Sequence, residues 1–188
     1  MLRKLCFWLL AMPALLFPLH WAMAADAPQL VPDSAVQVQR SGSSFTVDMS
    51  MVAPVPPAQA WAVLTDFEHM GSFVPNLSSS QVLERSDTLL KVAQKGVARY
   101  GFFSANFESI REINLNPQLE IRAHNVGGNL KRMDSVMQLQ AEGTGTRLHY
   151  HAEVVPGFWF PPLIGPALVR HETAEQFSAM LQEMARRQ

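Results

Sequence analysis

The chain has 188 residues, of which 48% are hydrophobic and 16% charged, and its formal net charge is -1. This length and composition are sufficient for one globular domain with a sizeable apolar core. The near-neutral charge, without any Lys/Arg-rich run interleaved with aromatic residues, argues against a nucleic-acid partner.

Residues 1–24 have the pattern of a secretory signal peptide. Arg3 and Lys4 provide a positive start, a proline-interrupted apolar run follows, and Ala22-Met23-Ala24 places small residues where a signal peptidase reads. We predict cleavage after Ala24. The alternative is an uncleaved membrane anchor, but the apolar run is shorter than the ~20 residues that a spanning helix needs.

The only cysteine, Cys6, lies in the predicted signal peptide, so the mature protein would have no disulfide. An exported chain without cysteines is more typical of a bacterial periplasmic protein than of a eukaryotic secreted domain. We therefore predict a periplasmic location. Residues 25–35 are expected to form a flexible leader because they lack hydrophobic periodicity, and the folded domain is predicted to span residues 36–188.

The folded part begins with alternating apolar and polar residues. Residues 36–39 alternate valine with glutamine, and after a Ser/Gly-rich turn a second alternation over residues 45–51 predicts a half-buried strand. A proline cluster at residues 54–57 ends this strand. Pro57 suits the first turn of a helix whose apolar residues recur at helical spacing up to Phe67.

Six consecutive strands are predicted next, because apolar and polar residues alternate between turn signals. They comprise residues 78–85, 88–99, 103–113, 118–126, 130–140 and 146–155. The short connections indicate an antiparallel meander with one apolar face and one solvent-exposed polar face.

The chain ends in a predicted long amphipathic helix. Its apolar face is predicted to carry Leu163, Ala167, Ala174, Phe177, Leu181 and Ala185. Its polar face is predicted to carry Glu172, Glu175, Ala179, Gln182, Glu183 and Arg187. The apolar face of the sheet can be buried only if the sheet curls around this helix.

Arg170 is predicted near the centre of the apolar face, where an unpaired guanidinium is costly. One hypothesis is that Arg170 anchors the polar end of a bound molecule. The structural alternatives, which we favour, are an ion pair with Asp66 or Glu153 and a long stem that reaches solvent.

Inward-facing aromatic, methionine and polar residues are consistent with a ligand pocket, although an ordinary packed core needs the same residue types. The predicted ligand-binding residues are Phe103, Phe107, Ser109, Asn125, Met133, Ser135, Met137, Tyr150, Trp159, Arg170 and Phe177. We assign no catalytic residue and predict neither a metal site nor a cofactor.

Several segments together resemble the START-like (SRPBCC) superfamily, specifically its polyketide cyclase/dehydrase and coenzyme Q-binding branch. They are residues 57–67 (PAQAWAVLTDF), 73–77 (FVPNL) and 143–148 (GTGTRL), then Tyr150 and Pro156, and finally the terminal helix. The resemblance covers residues 36–187 and implies an α+β, helix-grip fold. In that fold a curved antiparallel sheet of about seven strands wraps around a long C-terminal helix and encloses a cavity for a hydrophobic ligand.

The resemblance implies function as well as fold, since members of this branch include lipid and quinone carriers and aromatase/cyclases. We therefore expect a non-enzymatic, exported binder of a hydrophobic small molecule such as a lipid, isoprenoid or quinone. The main alternative is a cyclase/dehydrase-type enzyme acting on an aromatic or polyketide-like substrate. A third hypothesis is a protein-interaction module with a vestigial cavity. The apolar segment from Phe158 to Ile164 is predicted either to cover the cavity and touch a membrane transiently, or to pack on the sheet edge.

Overall fold

The computed structural model describes residues 31–157 and 164–188. Within these two ranges, antiparallel strands form one eight-stranded sheet with the order β1-β2-β8-β7-β6-β5-β4-β3. The strands are β1 Val36–Ser41, β2 Ser44–Ala53, β3 Leu77–Arg85, β4 Leu89–Tyr100, β5 Phe103–Asn116, β6 Glu120–Gly128, β7 Leu130–Glu142 and β8 Gly145–Pro156. The helices are α1 Pro57–Leu64, α2 Met70–Phe73 and α3 Gly165–Arg186.

The sheet curves around α3. The Nε of Arg170 on this helix donates to the carbonyl of Val36 in β1 at 3.2 Å. Half a turn further along, Glu172 accepts the backbone N–H of Arg99 in β4. Because β1 forms one edge of the sheet and β4 lies next to the opposite edge, both strands can reach one turn of α3 only if the sheet bends around it. The predicted α+β helix-grip fold is therefore confirmed.

The sheet has eight strands where the sequence predicted about seven. The additional strand is β1, which pairs with β2 from Val36 opposite Met49 to Ser41 opposite Ser44. The turn between them contains Gly42 with φ 59°, a conformation that glycine adopts without steric cost. The Val/Gln alternation thus belongs to a separate edge strand.

The end of the predicted flexible leader also belongs to the folded part. Val31 is buried, and its N–H donates to the hydroxyl of Ser178 on α3 at 2.9 Å. Asp33–Ala35 form one turn of 3-10 helix that leads into β1. These contacts tie residues 31–35 to the terminal helix.

The core lies between the concave face of the sheet and the helices. On β2 the predicted alternation is present, because Phe45, Val47 and Met49 are buried while the residues between them are half-buried. Pro57 occupies the first turn of α1, and this helix turns Ala60 and Val63 into the same core. No helix among the described residues combines the length and the hydrophobicity needed to cross a bilayer.

Helix α3 is buried on more than one side. Ala174, Phe177 and Leu181 are buried, as predicted. The prediction that Glu172 and Glu183 lie on an exposed face is wrong, since they are only 8% and 6% exposed. Ala179, which was assigned to the same face, is also buried. A projection with one buried face fails here because the curved sheet surrounds the helix.

Candidate functional site

A partly open cavity of about 250 Å³ lies between the concave face of the sheet and α3. Most of its lining is apolar, and the side chains come from helices α1, α2 and α3 and from strands across the sheet. The polar lining residues are Asn76, Gln94, Ser109, Arg111, Ser135, Tyr150, Glu172, Thr173 and Gln176. An apolar pocket with a few placed polar groups is the usual form of a small-molecule site.

The alternation of the strands brings most of the predicted ligand-binding residues to this cavity. The predicted residues that line it are Phe107, Ser109, Met133, Ser135, Met137, Tyr150 and Phe177. They come from β5, β7, β8 and α3, so the residues meet although they are distant in sequence. Their role in binding a ligand stays a prediction.

Phe103 and Asn125 do not line the cavity. Phe103 lies at the last pair of the β4–β5 hairpin, opposite Tyr100. Asn125 lies near the end of β6, where its Nδ2 donates to the carbonyl of Leu130 at 3.3 Å. The inward-facing positions of β5 and β6 that line the cavity extend only to Ala105 and Ala123, so Phe103 and Asn125 each lie one inward position beyond it. Trp159 lies outside the described residues.

Arg170 is half-buried, but it does not line the cavity either. The predicted partners are bound to other cations: Asp66 to Arg187 at 2.7 Å and Glu153 to Arg132 at 2.9 Å. The side of α3 that faces the cavity carries Leu168, Val169, Glu172, Thr173, Gln176, Phe177 and Met180. Arg170 points away from that side toward β1, so the predictions of a ligand anchor and of these ion pairs are wrong.

The cation that lines the cavity is Arg111 on β5, which the sequence reasoning missed. Its Nη2 donates to Oε1 of Gln94, while its Nε is buried without a hydrogen-bond partner. Burial lowers the pKa of Arg111, but an arginine side chain stays charged in proteins. The alternation that identified Phe107 and Ser109 reaches Arg111 two residues later, so the signal was present in the sequence.

Gln94 on β4 orients the guanidinium of Arg111. The Nε2 of Gln94 donates to the hydroxyl of Ser80 at 3.0 Å and approaches the sulfur of Met70 at 3.5 Å. With its NH₂ group engaged in this way, the amide presents Oε1 to Arg111. Strands β3 and β4 and helix α2 together therefore hold the cation in place.

Glu172 on α3 is the second charged group in the lining. Its carboxylate accepts hydrogen bonds from the Nδ2 of Asn76 and from the backbone N–H of Arg99. Burial raises the pKa of Glu172, and these two hydrogen bonds only partly oppose that effect. The projection of α3 hid this residue because it assigned Glu172 to an exposed face.

Tyr150 on β8 adds a phenol to the same lining. Its ring packs against Phe177 with the ring centroids 4.9 Å apart. Burial raises the pKa of Tyr150, whereas the charge of Arg111 and a hydrogen bond with Ser135 act in the opposite direction. The phenol is therefore a neutral hydrogen-bonding group under ordinary conditions.

The family described as "Polyketide cyclase / dehydrase and lipid transport" matches residues 53–179. The chain belongs to this family. The match extends from the end of β2 into α3, and it confirms the START-like resemblance found in the sequence. No curated protein matches the chain.

Solved structures show the same fold. The Zhui aromatase/cyclase from Streptomyces sp. R1128 has a TM-score of 0.66 at 16% identity, over 77% of this chain and 95% of that one. A STAR-related lipid transfer protein from Xanthomonas axonopodis has a TM-score of 0.63 at 12% identity, over 82% of this chain and 99% of that one. A START superfamily protein from Mycobacterium smegmatis has a TM-score of 0.65 at 11% identity, over 76% of this chain and 99% of that one. At these identities the likeness concerns the fold alone.

The family and the cavity fit two kinds of activity, the binding of a hydrophobic small molecule and cyclase chemistry. An apolar lining with one fixed cation can hold a molecule that has a polar end. A carboxyl group whose pKa is raised can also exchange a proton with such a molecule. Arg111 and Glu172 are thus the two residues whose roles decide between these activities.

Proposed function

We propose that this protein is a periplasmic binder or carrier of a hydrophobic small molecule, such as a lipid, isoprenoid or quinone. The observation that carries the proposal is an apolar cavity whose lining includes the guanidinium of Arg111 with an unpartnered Nε. The family description includes lipid transport. Support for export comes from the N-terminal pattern of Arg3, Lys4 and Ala22-Met23-Ala24.

Arg111 is costly to the fold in the absence of a ligand. A buried donor without an acceptor costs about 1–3 kcal/mol, and more when the donor is charged. No carboxylate of the described residues forms an ion pair with Arg111, and only the neutral Gln94 accepts a hydrogen bond from it. An anionic or carbonyl oxygen of a ligand would complete these hydrogen bonds.

The cavity volume limits the part of the ligand that is enclosed. About 250 Å³ lies just below the ~300–1,000 Å³ typical of small-molecule sites. We therefore expect the cavity to enclose one ring system or a short segment of one chain. The remainder of a long isoprenoid or acyl chain would extend out of the opening.

The test is native mass spectrometry of the protein purified from its own host, with Arg111→Met compared against Arg122→Met. Arg122 is the matched control because it lies on the outer face of the sheet and pairs with Glu120 at 2.5 Å. The wild type and Arg122→Met should carry the same bound molecule. Arg111→Met should lose at least about nine-tenths of it while its melting temperature is unchanged or higher, since it removes a buried charge.

Two results would contradict this proposal. One is a wild-type protein that carries no small molecule and binds no lipid or quinone added to it. The other is equal occupancy in Arg111→Met and Arg122→Met, which would assign a purely structural role to Arg111.

A cyclase/dehydrase activity is the second candidate, and Glu172 is the specific observation that favours it. Arg111 can stabilise an enolate oxygen, and a carboxyl group with a raised pKa can deliver or accept the proton. Under this hypothesis Glu172→Gln abolishes turnover of a poly-β-ketone chain, measured by chromatography of the products. The affinity of the variant for that chain should stay within about threefold of the wild-type affinity. If the wild type releases such a chain unchanged, this candidate is wrong.

A further inference from the structure

The hairpin of β4 and β5 extends beyond the rest of the sheet. The pairing of β3 with β4 ends at Gly96, and the pairing of β5 with β6 begins at Ser109. Between these limits β4 and β5 pair only with each other, up to Tyr100 opposite Phe103. We call residues 97–106 the β4–β5 arm. A two-stranded ribbon is marginally stable by itself, so contacts at its sides hold this arm in place.

Contacts with α3 hold the arm at the side of the cavity. The backbone N–H of Arg99 donates to Glu172, and the ring of Tyr100 meets the ring of His171 with centroids 5.7 Å apart. On the same face of the arm, Ala98 and Ala105 line the cavity. The arm is therefore one wall of the ligand cavity, and its tip lies at one end of that cavity.

The tip of the arm presents a phenylalanine to solvent. Phe102 is fully exposed, with a relative accessibility of 104%, and Tyr100 beside it is 37% exposed. Gly101 takes φ 59° in the two-residue turn, which places Phe102 at the outermost point of the hairpin. Phe102 makes no contribution to the core, so packing within the described part of the chain does not explain an aromatic residue at this position.

Two unpaired cations lie behind this apolar tip, one on the arm and one at its base. Arg99 lies three residues before Phe102 and is exposed, while Lys131 follows the β6–β7 turn at the base of the arm. Asn129 in that turn donates to the carbonyl of Asn106 at 3.0 Å, which places the turn beside the arm. Neither cation forms an ion pair with a carboxylate of the described residues. Glu108, the acidic residue at the base, is already paired with Lys95 at 3.2 Å.

We propose that the β4–β5 arm docks the protein onto an anionic lipid bilayer, with Phe102 inserted among the lipids and Arg99 and Lys131 at the headgroups. An apolar tip with adjacent cations is the combination that binds such a surface. Arg99 lies opposite Ser104, two strand positions behind the tip. At ~3.3 Å per residue this is about 7 Å, which is comparable to the ~5–8 Å depth of one headgroup region. This inference rests on the proposed function in one respect: it names the membrane as the place where the hydrophobic ligand is exchanged.

The first experiment measures whether the tip enters a bilayer. A bimane fluorophore is attached through Phe102→Cys or, as the control, through Leu119→Cys, in the exported protein processed after Ala24, which contains no other cysteine. Leu119 is 58% exposed and lies at the opposite end of β5, in the β5–β6 turn. On vesicles of two parts phosphatidylcholine to one part phosphatidylglycerol, the emission of the label at position 102 should shift to the blue, and that at position 119 should not.

The second experiment measures the affinity for the same vesicles by co-flotation. Phe102→Ser should weaken binding at least about tenfold, because the apolar area of one phenylalanine is lost. Arg99→Gln and Lys131→Gln should each weaken it about fivefold at low salt, and less at high salt where the charges are screened. Leu119→Ser should change it less than about twofold, and vesicles of pure phosphatidylcholine should bind less protein.

The outcomes separate this inference from the proposed function. Binding of anilinonaphthalene sulfonate in solution reports on the cavity alone, and Phe102→Ser should leave it unchanged. If the wild type does not bind anilinonaphthalene sulfonate, the proposed function is contradicted, whatever the vesicle experiments show. Equal blue shifts at positions 102 and 119, or no shift at either, would overturn the docking inference. So would a wild-type dimer in sedimentation that Phe102→Ser dissociates, since the partner of the tip would then be a second copy of the chain.

Discussion

Helix α3 carries two buried glutamates whose surroundings differ. Glu183, near the C-terminal end, accepts hydrogen bonds from Arg186 at 2.6 Å and Arg187 at 2.7 Å. These bonds lower the pKa of Glu183 to about 2. Glu172, in the first half of the helix, accepts only from the neutral donors of Asn76 and Arg99, and burial raises its pKa.

The comparison shows two different states of a carboxyl group in this protein: hydrogen bonds from two arginines hold Glu183 charged, whereas burial beside neutral donors favours the protonated form of Glu172. One of the two arginines that neutralise Glu183 also connects α3 to the segment after α1, because Arg187 donates to Asp66 at 2.7 Å. No cation neutralises Glu172 within the described residues, although it lines the cavity. A carboxyl group left in this state is more typical of a functional site than of a structural ion pair.

The substitution with the largest expected effect is Gly96→Ala, which disrupts the surroundings of Glu172 and leaves those of Glu183 unchanged. A Cβ atom at this position would lie 2.1 Å from the carbonyl oxygen of Asn76 and 2.6 Å from the ring of Phe107. Asn76 would have to move and would release Glu172. We expect the free energy of unfolding to fall by about 3 kcal/mol in chemical denaturation.

Gly143→Ala is the control for this prediction. Gly143 has φ 59°, but a Cβ atom there would meet nothing within 4 Å. Only the backbone conformation is strained, so we expect a loss of about 1 kcal/mol. Equal losses in the two variants would mean that the contacts of Gly96 do not constrain the fold.

Glu183→Gln should destabilise the protein by about 2 kcal/mol, because it removes charge-assisted hydrogen bonds from a buried position. The folded-state pKa of about 2 lies below the ordinary value of ~4.3. The stability that Glu183 contributes is therefore present above pH ~4.3 and is lost as the pH falls toward 2. Denaturation curves at several pH values should show the wild type and the variant converging in acid.

Glu175→Gln is the matched control on the same helix. Glu175 has 46% side-chain exposure and lies 3.5 Å from His171. We expect its replacement to change the free energy of unfolding by less than about 0.5 kcal/mol at every pH. A wild-type advantage over Glu183→Gln that persists unchanged to pH 2 would contradict the pairing of Glu183 with the two arginines.

Among the three test variants Glu172→Gln should have the smallest effect, less than about 1 kcal/mol. The pH dependence of its stability difference from the wild type should have the opposite sign to that of Glu183→Gln. Because the folded-state pKa of Glu172 is raised, the wild type loses stability as the pH rises from the ordinary carboxyl range through the raised value. The amide of glutamine does not titrate. Rotation of the Asn76 amide would let its unpartnered Oδ1 accept from the new NH₂ group. The variant should therefore match the wild type in acid and exceed its stability near neutral pH.

Thermal or chemical denaturation of the Glu172→Gln variant between pH 4 and 8 measures this difference. A wild type that gains stability over the variant with rising pH would show that a cation neutralises Glu172. Glu172 and Glu183 would then both be charged and paired, and the functional interpretation of Glu172 would lose its support.

Residue patterns predicted the inner face of the sheet well. Phe107 and Tyr150 were assigned inward from alternation, and both line the cavity. The same pattern included Arg111, but the prediction stopped at Ser109 and assigned the buried cation to Arg170 on the helix. Helical periodicity was a weaker guide because α3 is covered on several sides and leaves only a narrow strip, including Glu175 and Gln182, exposed to solvent.

The sequence by itself determined which residues form strands and which side of each strand faces inward, because side-chain direction along a strand is a local property of the backbone. Only the tertiary structure decided the state of the charged groups. Glu172 depends on donors from Asn76 and Arg99, and Arg111 on the amide of Gln94, and these partners come from separate segments. Folding alone brings them together, since hydrogen bonds and desolvation act over a few ångströms and leave no periodicity in the sequence.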